Sequence, residues 1–165
     1  MTTLRDKVFV TAEYALPLVQ EWKDNGERIA FTNGCFDLMH VGHVLYLEES
    51  RTLADRLIVG LNADSSVRTL KGQGRPIQDE YNRSHVLAAL QSVDMVILFS
   101  EDTPYQLIQL ISPNILVKGG DWKVEEIVGS DLVLERGGQV YSLKYLEGHS
   151  TTNIEQRILQ RNTQD

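Results

Sequence analysis

Cysteine is nearly absent from this chain. The single Cys35 among 165 residues rules out an intramolecular disulfide, and the compartment expected is a reducing one, the cytoplasm. An excess of positive charge is also missing. Sixteen Lys and Arg against 23 Asp and Glu give a formal net charge of −7, which argues against a broad nucleic-acid or anionic-membrane surface. Any phosphate site must therefore be local, built from a few cations. No apolar run approaches a membrane span, and the first residues, Met1 to Lys7, lead into no apolar leader core. Repeats, linkers and low-complexity tracts are lacking too. What remains, 42% hydrophobic and 24% charged, is an ordinary globular composition, and the length suits one domain with a real core.

Short apolar runs alternate with helical patterns. Thr11 to Asp24 reads as an amphipathic helix with Ala15, Leu18, Val19 and Trp22 on one side; Pro17 belongs in a first turn, so the helix is expected to start near Tyr14 to Leu16 and to end at Asn25-Gly26. Strands are predicted over Arg28 to Thr32, Arg56 to Leu61, Met95 to Phe99, Ile115 to Val117 and Gln139 to Tyr145. Between them the pattern predicts helices over Val41 to Ala54 and Tyr81 to Leu90. Another is expected from an N-cap at Thr103, with Pro104 first, to Ile111. A closing helix is expected near Thr152, where Thr152 and Glu155 have capping-box spacing. The expected fold is a single doubly wound, Rossmann-like α/β domain: a parallel sheet of about five strands with helices on both faces, plus an N-terminal helix. We divide it into a helical extension, 1–26, and a main domain, 27–165. Ligands should bind at the carboxyl ends of the strands.

Unusual polar residues fall at those ends. The first strand runs into Thr32-Asn33-Gly34-Cys35-Phe36-Asp37-Leu38-Met39-His40-Val41-Gly42-His43. His40 and His43, three apart, share one face of a helix at its N-terminus, where free N–H groups and the dipole attract anions. The spacing also occurs in zinc sites, but no second His or Cys cluster completes four ligands. Later strand ends carry Asn62-Ala63-Asp64, Ser100-Glu101-Asp102, Lys118-Gly119-Gly120-Asp121 and Gly148-His149-Ser150-Thr151-Thr152. The last of these also reads as a plain helix cap, and Lys118-Gly119-Gly120 as a turn with a solvated lysine. Lys71-Gly72-Gln73-Gly74-Arg75-Pro76 reads as a mobile basic loop able to close over phosphates. Cys35 beside two histidines invites a nucleophile reading; a small buried residue at the turn is the plainer one. Trp122 fits shielding of the site, packing against a sugar, or plain core packing.

The Thr32 to His43 segment, paired with Gly148 to Thr152, resembles the cytidylyltransferase-like branch of the nucleotidyltransferase α/β phosphodiesterase superfamily. Within it, Arg56 to Gly60, Leu70-Lys71-Gly72, Gly74-Arg75-Pro76, Glu101 to Pro104 and Leu116 to Asp121 resemble D-glycero-β-D-manno-heptose 1-phosphate adenylyltransferases, over nearly all the chain after about Tyr14. In many bacteria that activity is the C-terminal half of a bifunctional protein with a sugar kinase; the stand-alone form is expected here. The resemblance implies AMP transfer from ATP to a sugar 1-phosphate, giving ADP-heptose and pyrophosphate for lipopolysaccharide or surface-glycan precursors. It implies catalytic roles for His40, His43 and Lys71. It places nucleotide contacts at Asn33, Gly34, Cys35, Phe36, His40, Gly42, His43, Arg83, Gly148, Ser150, Thr151 and Thr152. Substrate contacts fall at Asp37, which also supports the turn, and at Arg75, Lys118, Gly119 and Asp121. No metal held by protein ligands is implied; Mg²⁺ accompanies ATP and keeps most of its waters. The partners expected are ATP and the sugar phosphate, with a homodimer or higher homo-oligomer and neither nucleic acid nor membrane.

Physical chemistry agrees with a site that shows no acid–base couple. A phosphate monoester has a second pKa of about 6, so an acceptor phosphate is already largely dianionic at neutral pH and needs no strong base. Positioning and cationic stabilisation must carry the rate. Two other readings remain: a cytidylyltransferase acting on another phosphorylated sugar or polyol, and a non-catalytic nucleotide sensor. A dinucleotide-binding oxidoreductase fails on the missing G-x-G-x-x-G.

Overall fold

A computed structural model of the chain describes residues 3–144, 148 and 150–162. In chain order the regular elements are β1 (Val8–Phe9), α1 (Ala12–Asp24), β2 (Ile29–Gly34), α2 (Val41–Thr52), β3 (Arg56–Asn62), α3 (Asp64–Lys71), α4 (Glu80–Ala88), β4 (Met95–Phe99), α5 (Tyr105–Ile111), β5 (Ile115–Gly119), α6 (Ser130–Glu135), β6 (Gln139–Leu143) and α7 (Thr151–Asn162). Leu4–Lys7 and Val124–Glu126 add short 3₁₀ turns.

The strands form one parallel sheet in the order β1-β4-β3-β2-β5-β6. This is the doubly wound α/β architecture expected, with one strand more than the five predicted. The extra strand, β1, is too short to carry a hydrophobic period; it exists by pairing with Val96 and Ile97 of β4. Order runs outward in both directions from β2, so the switch point lies between β2 and β5, where a doubly wound sheet opens its crevice.

Central strands are buried on both faces, which is why they read as near-continuous Ile, Val and Leu. One layer packs α1 and α5 onto the sheet through Ala15, Val19, Trp22, Leu107, Ile108 and Ile111. The opposite layer packs α2 and α4 through Tyr46, Leu47, Leu87 and Ala88. Each fully buried Leu, Ile or Phe contributes roughly 1.5–3 kcal/mol. Gly60 in β3 allows this density, because a Cβ there would lie 2.7 Å from the ring of Phe31.

Several element boundaries differ from expectation. Pro17 is the sixth residue of α1, which begins at Ala12; burial of Ala15, Val19 and Trp22 outweighs the lost N–H. Pro104 precedes α5 rather than opening it. The capping box expected at Thr152 is absent. Ser150 caps α7 instead, its Oγ accepting from the Asn153 N–H at 3.1 Å, and Glu155 turns away to pair with Arg75. Helix α3 was not expected, since its polar sequence, Asp64 to Lys71, hides a buried Ser66 and Val67. The end of the last predicted strand, Tyr145, lies outside the described residues.

Candidate active site

The site grows from the carboxyl end of β2. Thr32 is anchored there by a 2.6 Å hydrogen bond between its hydroxyl and that of Tyr46. Beyond Gly34 the chain turns sharply, with Phe36 in the left-handed region at φ 45°. Its ring folds back over Gly34, where a Cβ would come within 2.9 Å.

Two buried charged groups hold this turn from below. Asp37 is 3% exposed, and its carboxylate accepts from Ile77 N–H and Gln78 N–H, each at 2.9 Å, and from Arg75 Nη1 at 2.7 Å. Burial alone would raise its pKa, but these three donors hold it below the usual carboxylate value. Arg83 is 1% exposed and donates to the Gln78 carbonyl at 3.0 Å, the Cys35 carbonyl at 2.6 Å and Asp64 at 2.7 Å. Neither Arg75 nor Arg83 therefore presents its guanidinium to a ligand here. Arg75 is held by Asp37 and Glu155, and Arg83 supports the turn that carries Cys35 and Phe36.

The histidines stand where α2 starts, His40 at the N-cap position and His43 in the first turn. Their rings stack at 3.9 Å between centroids and 30° between planes, and Phe36 meets His43 edge-on at 5.3 Å. Burial, then the neighbouring His40 and Lys71, depresses His43 to about 4, so it is neutral at pH 7. A neutral imidazole carries one N–H, and the buried Nδ1 of His43 has no partner among the described residues. No cluster of three His, Cys, Asp or Glu able to hold a metal occurs among the described residues.

Facing His43 is a cleft of about 740 Å³. One wall is Asn33 to Asp37, with Lys71 at the end of α3; the other is Lys118 to Trp122 with Glu126, and Thr151 opens α7 beside them. Lys118 reaches across, Nζ 3.4 Å from the Asn33 side-chain oxygen, and burial lowers its pKa. A second cavity of about 280 Å³ adjoins His40 and is lined by Gly148, Ser150, Asn153, Ile154 and Arg157. Gly42 is buried in the first turn of α2, and Thr152 is exposed. Turns distant in sequence thus meet at the switch point. Sequence reasoning did not single out Glu126, Asn153, Arg157 or the Tyr46 anchor, which are polar groups in ordinary helical patterns with no motif to mark them.

Such a crevice, with stacked imidazoles at a helix N-terminus and lysines from two walls, defines a nucleotide-handling α/β protein of the phosphate-transfer kind. Comparison with known proteins sharpens the class. The chain belongs to the cytidylyltransferase-like family, whose pattern matches residues 31–157, and it is a nucleotidyltransferase. Among its relatives, the bifunctional protein HldE of Nitrobacter hamburgensis is 57% identical over 136 residues, which is 82% of this chain and 28% of that one. The HldE protein of Pelobacter propionicus is 53% identical over 144 residues, 87% of this chain and 30% of that one. The chain therefore spans under a third of these curated relatives. A crystal structure of a lipopolysaccharide core biosynthesis protein from Thermoplasma volcanium matches with a TM-score of 0.58 at 29% identity, covering 75% of this chain and 100% of that one. A pantoate–β-alanine ligase from Francisella tularensis matches with the same TM-score at 15% identity over 90% of this chain, a likeness of fold alone.

Proposed function

We propose that the protein transfers AMP from ATP to D-glycero-β-D-manno-heptose 1-phosphate, releasing pyrophosphate and forming ADP-heptose for lipopolysaccharide precursor synthesis. The observation that carries this reading is the convergence of His43, Lys71 and Lys118 on one cleft beside the start of α7. The HldE relatives and the lipopolysaccharide core biosynthesis protein favour the heptose acceptor over other phosphorylated alcohols.

In this mechanism an oxygen of the sugar phosphate attacks the α-phosphorus of ATP. The bond from that phosphorus to the β-phosphate bridging oxygen breaks, and pyrophosphate leaves with the electron pair. His43, neutral before binding, offers an N–H to a non-bridging oxygen; the incoming phosphate charge favours its protonation and strengthens that bond. Lys71 and Lys118 offset the repulsion between two anions, and the α7 N-terminus adds N–H groups and its dipole. Mg²⁺ enters as part of the substrate MgATP. An ion carried by phosphates and water needs few ligands from the protein.

The test is to follow pyrophosphate release with Mg²⁺ and ATP, CTP, GTP or UTP against a panel of sugar and polyol phosphates. Release with ATP and the heptose 1-phosphate alone is expected. Turnover only with CTP and another acceptor would replace this reading, and nucleotide binding without turnover on any acceptor would make the protein a sensor.

A further inference from the structure

The loop after β5 is built to hold one indole at the cleft mouth. Gly120 N–H donates to the Leu143 carbonyl at 2.8 Å. Ser142 Oγ donates to the Gly120 carbonyl at 2.9 Å and accepts from Trp122 N–H at 3.0 Å. The indole Nε1–H of Trp122 donates to the Gly119 carbonyl at 3.1 Å. Backbone and ring are thus fixed together. Gly120 completes the arrangement with φ +126°, because a Cβ there would lie 2.6 Å from the indole nitrogen. The nitrogen edge of the ring thus lies against the Gly119-Gly120 backbone.

Its front is open. Trp122 is 48% exposed and lines the cleft, whereas the only other tryptophan, Trp22, is core at 6%. A loop fixed by four hydrogen bonds, one of them from the indole itself, around a ring left half in water marks a binding surface rather than packing. Lys118, Asp121 and Glu126 line the same cleft. A half-exposed indole in a cleft that also holds two carboxylates and an ammonium suits a ligand with an apolar C–H face, several hydroxyls and a phosphate. A purine prefers a second flat wall, but the other rings of the lining are engaged with each other: Phe36, 7% exposed, meets His43 edge-on.

We propose that Trp122 is the platform on which the acceptor's sugar ring lies, with Asp121 and Glu126 accepting from its hydroxyls, so that this residue sets acceptor preference. The assignment rests on the reading of the cleft as the site of a sugar 1-phosphate nucleotidyltransferase. Acrylamide quenching of tryptophan emission in the full chain tests it, since the exposed Trp122 is quenched and the core Trp22 is not; the Trp122→Phe variant identifies the reporter. Heptose 1-phosphate should protect Trp122 from quenching, and inorganic phosphate should not. In turnover, Trp122→Ala should raise KM for the sugar phosphate about tenfold, and Trp122→Phe should restore most of it. KM for ATP should stay within about twofold in both, as expected of a residue that touches one substrate. Protection by ATP and not by the sugar phosphate would make Trp122 a nucleobase platform and overturn the proposal. Equal KM values in wild type and Trp122→Ala would do the same. Absence of turnover with every acceptor would sink the reaction proposed above while leaving the quenching result to decide the fate of Trp122.

Discussion

Arg83 donates to the backbone carbonyl of Cys35 at 2.6 Å, and that contact links α4 to the turn that places Phe36 against His43. The same guanidinium pairs with Asp64 at the start of α3, the helix that ends in Lys71. One buried cation thus connects the β2 turn to the helix that brings Lys71 to the same wall of the cleft. Charge placed under the site, rather than in it, sets the geometry of the turn that packs against His43.

Replacing Arg83 by Ala should therefore act first on stability. It leaves the Cys35 and Gln78 carbonyls without their donor and Asp64 without its partner, a loss of about 3 kcal/mol for a broken buried pair. Urea unfolding measures it. A variant with wild-type stability and only a raised KM for ATP would show that Arg83 instead serves phosphate directly.

His43→Ala is expected to keep the fold, because the ring is partly exposed at the cleft rather than part of either core layer. Its kcat should fall by a hundredfold or more, the roughly 3 kcal/mol typical of one donor to developing charge. Circular dichroism establishes the fold and pyrophosphate release the rate. Near wild-type turnover would remove His43 from the mechanism.

The residues themselves made the sheet and its ligand edge legible, because buried parallel strands read as Ile, Val and Leu runs and the polar punctuation marked their carboxyl ends. The pairing of the Thr32 to His43 segment with Gly148 to Thr152 was legible for the same reason. Side-chain direction was not. Asp37 and Arg75 look like substrate groups in one dimension, yet they spend their charge on each other and on the 77–78 backbone. Which partner a buried charge finds depends on contacts some forty residues apart that no local period encodes. Helix α3 escaped for a related reason: a short polar helix is stabilised by its tertiary seat rather than by propensity.

The depressed pKa values of His43 and Asp37 give stability an acid limb. A histidine near 4 in the folded state and near 6.5 unfolded stays neutral in the fold while the unfolded chain takes up a proton. Stability is therefore full above about pH 6.5 and declines as pH falls toward 4, with Asp37 adding a further loss below the ordinary carboxylate range. Between pH 7 and 5 the wild type should lose on the order of 1 kcal/mol more than His43→Gln, allowing for solvent screening. Parallel unfolding curves at the two pH values measure the difference. Equal losses would show that His43 titrates normally.

Gly120→Ala separates the indole's position from its presence. The left-handed φ of +126° and the 2.6 Å approach of a new Cβ to the Trp122 nitrogen mean that backbone or ring must move. Strain of about 1–3 kcal/mol is expected if the loop holds its shape, visible as a lowered Tm. If the ring moves instead, the bond from Nε1 to the Gly119 carbonyl breaks, and acrylamide quenching of Trp122 rises with little change in Tm. Either way Trp122 is still there but the loop that carries it is altered, so the sugar-phosphate KM should rise in this variant while KM for ATP stays near the wild-type value. A Gly120→Ala protein with unchanged Tm, quenching and KM would show that the loop yields freely and that the four hydrogen bonds around Trp122 do not fix it.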